Sequence, residues 1–116
     1  MENKKMIFVV DDDDICRESL GMILENQGYK VRDFPDGKKA WDAINEKRGL
    51  PDLLITDGIM PEMGGEKLTA LVKSSYKFPV IMVSGACEKM RGCPVDALMG
   101  KPFDCDHLLE EVKRLI

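Results

Sequence analysis

Apolar and polar positions along the chain alternate between two rhythms. Met6–Val10 is a continuous apolar run with β-branched residues, the pattern of a short buried strand. From Asp14 the pattern changes: Cys16, Leu20, Ile23 and Leu24 recur at i, i+4, i+7 and i+8, one face of a helix that Asp14 caps and Gly28 ends. Lys30–Phe34 reads as a second strand. Pro35-Asp36-Gly37 breaks the chain before a helix over Lys38–Arg48, with Ala40, Ala43 and Ile44 inward and Gly49 as its stop. Leu53–Thr56 is a third strand. Met60-Pro61 and Gly64-Gly65 bracket a loop, and Glu66–Ser74 is a helix with Leu68, Leu71 and Val72 on one side. Pro79–Val83 and the weaker Ala97–Met99 complete the strands, and Asp104–Ile116 is a last helix.

Strands that alternate with helices predict an α/β domain with a parallel sheet covered on both faces. In such sheets the functional crevice lies at the carboxyl ends of the strands. The residues that follow each strand therefore decide what the chain does. Asp11, Asp12, Asp13 and Asp14 follow the first strand and Asp57 the third; Ser84 follows the fourth and Lys101 the fifth. Each break alone reads as a turn or a helix start. Their coincidence at one end of the sheet points to a site. Clustered carboxylates repel one another and favour a bound cation. Oxygen ligands without histidine or cysteine suit Mg²⁺ rather than zinc. A lysine and a hydroxyl beside them make a binding place for a phosphoryl group.

Composition changes little in this picture. The 116 residues fit one domain, and 44% hydrophobic with 33% charged residues is an ordinary globular balance. A net charge of −4 argues against a dedicated nucleic-acid binder. No apolar run is long enough to cross a bilayer, so no membrane partner is expected. The cysteines at 16, 87, 93 and 105 include no C-x-x-C pair and read as free thiols in a reducing cytoplasm. The one histidine, His107, falls on the last helix and reads as exposed rather than catalytic.

Four segments resemble receiver domains of two-component signalling, in the right order: Phe8-Val9-Val10-Asp11-Asp12, Thr56-Asp57-Gly58-Ile59-Met60-Pro61-Glu62-Met63-Gly64-Gly65, Val83-Ser84-Gly85-Ala86 and Gly100-Lys101-Pro102-Phe103. The resemblance covers nearly the whole chain. It implies a single receiver domain over residues 1–116, with a flavodoxin-like, doubly wound five-stranded parallel sheet in the order 2-1-3-4-5. It also implies roles. Asp57 matches the phosphoacceptor. Asp12 matches the direct Mg²⁺ ligand and Asp11 the acid that holds a metal-bound water, and the backbone carbonyl of Ile59 completes the protein part of the metal shell. Ser84 matches the hydroxyl that bonds the phosphoryl group. Lys101 matches the lysine that pairs with Asp57, ahead of a cis Lys101–Pro102 peptide. The donor is then a sensor histidine kinase or phosphotransfer protein, and the chain is a cytoplasmic signalling domain rather than an enzyme of metabolism.

Two features depart from the family pattern. Leu98 stands where receivers carry Tyr or Phe, and Ala86–Pro94 has room for a turn or two of helix at most, where the family has a full fourth helix. A monomer or weak dimer is therefore expected, with little phosphorylation-driven dimerisation through that face. Two other functions stay open at this point. Asp11-x-Asp13 faintly resembles the haloacid dehalogenase phosphatases, although Ile15 stands where they carry Thr or Val. The fold also serves as a phosphorylation-independent interaction module.

Overall fold

The computed structural model describes residues 4–46 and 49–116. Ten elements follow one another: β1 (Met6–Val10), α1 (Asp14–Asn26), β2 (Lys30–Phe34), α2 (Gly37–Asn45), β3 (Leu53–Asp57), α3 (Gly65–Ser75), β4 (Val80–Ser84), a 3-10 turn (Cys87–Met90), β5 (Ala97–Gly100) and α4 (Cys105–Leu115). The strands form one parallel sheet in the order β2-β1-β3-β4-β5. This is the flavodoxin-like arrangement, with a single 3-10 turn in place of the fourth helix.

Alternation along each strand sends side chains to two separate cores. Phe8, Val10, Leu54 and Val80 face α2 and α3, where Ala40, Ala43, Ile44, Leu68 and Val72 meet them. Ile7, Val9, Ile55, Ile81 and Val83 face α1 and α4, through Leu20, Leu24, Leu108 and Val112. Phe8, Ile44, Leu54 and Leu108 are wholly buried, and each such side chain contributes roughly 1.5–3 kcal/mol through its removal from water. Trp41 of α2 meets Tyr76, just past α3, edge to face at 6.1 Å.

Helix boundaries differ from the sequence reading where a cap decides them. Asp13, not Asp14, caps α1: its carboxylate accepts the Ile15 and Cys16 N–H groups at 3.0 and 3.1 Å. Asp14 sits in the first turn and pairs with Arg17 at 2.7 Å. Asp36 caps α2 through the Lys39 N–H at 2.8 Å, so that helix begins at Gly37. It ends at Asn45; the expected continuation to Arg48 lies outside the described residues. Gly28 follows α1 with φ +92°, the left-handed conformation in which a glycine most readily stops a helix.

Candidate functional site

The sheet brings the sequence-marked residues to one end. β1 and β3 are neighbours, so the turns after Val10 and Asp57 lie side by side. Asp11, Asp12 and Asp57 each present a carboxylate oxygen, and these oxygens lie within 4.8 Å of one another. β4 places Ser84 next to β3, and β5 delivers Lys101 from the far side. The Lys101–Pro102 peptide is cis.

Lys101 is shared rather than dedicated to one acid. Its ammonium lies 2.9 Å from Asp11 Oδ2 and 3.4 Å from Asp57 Oδ2. Burial alone would lower the lysine's affinity for its proton, but the bonds and charges of Asp11 and Asp57 outweigh it and hold its pKa above the ordinary value. Asp11 is buried; its other oxygen accepts the Asp13 N–H at 2.9 Å. Asp57 is 11% exposed, and burial, aided by the charge of Asp11, pushes its carboxyl above the usual range against the pull of Lys101 and the Gly58 N–H. A further cation beside these carboxylates would relieve that strain. Asp12 is exposed, at the solvent side of the cluster. Three oxygen donors converging at this spacing, with no nitrogen or sulfur among them, fit Mg²⁺.

Ser84 is 1% exposed, and its Oγ accepts the Ala86 N–H at 3.0 Å. Its own hydroxyl hydrogen stays available as a donor. Ile59, by contrast, points outward with 56% of its surface exposed. It borders an open groove with Met60, Gly64, Lys67 and Met90. His107 is exposed and lies 3.7 Å from Glu111. All four cysteines are free.

Some functional residues escaped the sequence reading. The Gly58 N–H donates to Asp57 Oδ1 at 2.7 Å, fixing the carboxylate. A Cβ on Gly58 would come within 2.7 Å of Ser84 Oγ, so this glycine is what lets the hydroxyl approach β3. A Cβ on Gly65 would fall 2.0 Å from the Asp57 carbonyl oxygen. The sequence marks the Asp57-Gly58 and Gly64-Gly65 doublets as turn signals and as part of the receiver-like segment, without showing these close approaches. The dehalogenase-like reading also meets an obstacle: Asp13, its second acid, is spent on capping α1. The Cys16 N–H foremost, with the Ile15 N–H, holds its carboxyl below the usual range.

A sequence model of the response regulator receiver domain matches residues 7–113. This chain is a response regulator receiver domain. The receiver is 27% identical to the transcriptional regulatory protein CseB of Streptomyces avermitilis, over 100% of this chain and 51% of that protein. It spans about half or less of the length of the curated relatives it matches. Among solved structures, the receiver is similar to the signal receiver domain of a signal transduction histidine kinase from Syntrophus aciditrophicus, with 30% identity and a TM-score of 0.87 over 96% of this chain and 89% of that one. It is also similar to response regulator protein TrrA of Thermotoga maritima, solved in complex with Mg²⁺–BeF, with 29% identity and a TM-score of 0.86 over 97% of this chain and 99% of that one. Receivers of this family are signalling domains of two-component systems. Among the described residues of this one, no helix is long and apolar enough to cross a membrane.

Proposed function

We propose that this receiver takes a phosphoryl group onto Asp57 from a phosphohistidine on a sensor histidine kinase or phosphotransfer protein, as a single cytoplasmic signalling domain over residues 1–116. The observation that carries this reading is the convergence of the Asp11, Asp12 and Asp57 oxygens within 4.8 Å, with the Lys101 ammonium 3.4 Å from Asp57. A carboxylate oxygen of Asp57 attacks phosphorus, the phosphorus–nitrogen bond breaks, and the imidazole nitrogen keeps the electron pair. The product is an acyl phosphate on Asp57.

Transfer of this kind depends on positioning and on charge stabilisation more than on covalent chemistry. The Gly58 N–H holds one Asp57 oxygen in place. Lys101 turns from the acids toward the equatorial oxygens as negative charge builds on them. Ser84 donates its hydroxyl hydrogen to the same group. Asp11, Asp12, Asp57 and the Ile59 carbonyl would hold Mg²⁺, which supplies charge neutralisation for the acids and the incoming phosphoryl group. The same residues assist later hydrolysis, so the domain helps set its own signalling lifetime without being an enzyme for an external substrate. With Leu98 on β5 and only a 3-10 turn before that strand, we read the protein as a monomer or weak dimer.

The test is phosphorylation by acetyl phosphate in the presence of Mg²⁺, read by intact mass. One phosphoryl group is expected on the wild type and none on Asp57→Asn. Equal labelling of the two would overturn the assignment.

A further inference from the structure

The strand that delivers Lys101 has few anchors. β5 covers only Ala97–Gly100, lies at the edge of the sheet and, among the described residues, pairs with β4 alone. The chain between β4 and β5 contains one 3-10 turn, Cys87–Met90, so no crossover helix packs the strand into place. Met99 is the one buried side chain of β5, so little of the strand's hydrophobic pattern fixes its register. Each residue of slip would move the strand by about 3.3 Å. That is as large as the 3.4 Å between Lys101 Nζ and Asp57 Oδ2, so a slip of one residue would disconnect the lysine from the acid.

Asp96 sits immediately before β5, at the opposite end from Lys101, and binds both backbone groups of one residue on β4. Its N–H donates to the Val80 carbonyl at 2.8 Å. Its Oδ2 accepts the Val80 N–H at 2.7 Å. The same oxygen lies 2.7 Å from the Lys73 ammonium of α3, which also donates to the Phe78 carbonyl at 3.4 Å. Arg114 of α4 donates to the Asp96 carbonyl at 3.3 Å. One residue thus ties β4, α3 and α4 to the start of β5. Neither neighbour, Val95 or Ala97, carries a carboxylate, so any slip forfeits the bonds to the Val80 N–H and to Lys73.

We propose that Asp96 is a register lock, a positioning residue that acts through β5 to hold Lys101 against Asp57. The inference rests on the role given to Lys101 above. The pair is sheltered, with 27% of the Lys73 and 34% of the Asp96 side-chain surface exposed. Burial works against the Asp96 charge, but the Lys73 and Val80 bonds prevail and keep its carboxyl below the usual range.

A double-mutant cycle on the full chain tests this, with the rate of phosphorylation by acetyl phosphate in saturating Mg²⁺ as the readout. Asp96→Ala should slow the reaction by about ten- to a hundredfold, the scale of a misplacement of an ångström or more. Lys101→Met should slow it at least as much, and the double variant should be no slower than Lys101→Met. Mg²⁺ binding by Asp96→Ala should not be weakened, because Asp11 and Asp12 follow β1 and Asp57 ends β3, away from β5. Asp96→Asn, which keeps an acceptor for the Val80 N–H and loses the charge facing Lys73, should fall between wild type and Asp96→Ala. It also keeps the test readable if the alanine variant does not fold. Two results would overturn the lock. One is a wild-type rate for both Asp96 variants. The other is an equal slowing by Asp96→Ala with and without Lys101, which would mark general destabilisation. A wild-type rate for Lys101→Met would instead overturn the role of the lysine itself.

Discussion

Two buried helical glycines should respond to alanine with opposite signs. Gly21 lies inside α1, and a Cβ there would meet only Val31 Cγ1, at an ordinary 3.7 Å. Helix propensity then governs, and Gly21→Ala should stabilise the domain by about 0.5–1 kcal/mol. Gly65 opens α3, and its N–H donates to the Gly58 carbonyl at 2.9 Å. A Cβ there would lie 2.0 Å from the Asp57 carbonyl oxygen, 3.0 Å from its carbon and 3.1 Å from Gly58 Cα. All three are backbone atoms, so no rotamer change can relieve the contact; α3 or the end of β3 must move by more than an ångström. Overpacking typically costs about 1–3 kcal/mol, and the backbone clash puts Gly65→Ala at roughly the upper end. At roughly 4 °C per kcal/mol for a domain of this size, Tm should rise by about 2–4 °C for Gly21→Ala and fall by about 10 °C for Gly65→Ala. Thermal and urea denaturation followed by circular dichroism would measure both. A Gly65→Ala variant as stable as wild type would refute the close approach of α3 to β3.

Three further outcomes are expected. Asp12→Ala should weaken Mg²⁺ binding on the order of tenfold or more, whereas Asp14→Ala should leave it unchanged because Asp14 faces Arg17 at 2.7 Å; calorimetric titration would decide, and equal losses would mean the acids are misassigned. Ile59 and Ala86 stand two residues after Asp57 and Ser84, the positions we expect to flank a water attacking the acyl phosphate, and neither side chain can orient one; phosphorylated wild type should therefore decay slowly and Ile59→Asn faster by on the order of ten- to a hundredfold, and equal lifetimes would remove Ile59 from the explanation. Asp96 has a depressed pKa, so the stability it contributes is full above the ordinary carboxylate range of about 4 and is lost as pH falls through its folded value. The stability gap between wild type and Asp96→Asn should be flat near neutrality and narrow below about pH 4; a gap that widens in acid would reverse the sign.

The order of elements was legible because strand and helix periods differ so clearly along this chain. The acids, Ser84 and Lys101 were legible because each follows a strand, and a parallel sheet gathers such positions. What escaped was set by contacts the pattern does not encode. Nothing in the run of four aspartates says which one caps α1; the backbone turn selects Asp13. The sharing of Lys101 between Asp11 and Asp57 depends on the spacing of β1 and β3 and not on any motif. The close approaches that Gly58 and Gly65 permit were not legible, because a missing Cβ leaves no trace until its neighbours are in place. Asp96 carried no signal at all, since its partners Lys73, Val80 and Arg114 are assembled from three separate elements.

The chain's one tryptophan, Trp41, lies on α2 with its ring edge against Tyr76, which precedes β4 at the amino end of the strands. The acid cluster is at the carboxyl end. Indole emission therefore watches the joint between α2 and the end of α3, while the chemistry takes place at the other pole of the sheet. This separation gives the protein an internal optical control: chain unfolding will register in the emission, whereas filling the acid site need not. Loss of phosphoryl acceptance in a variant can thus be told apart from loss of the fold in the same cuvette.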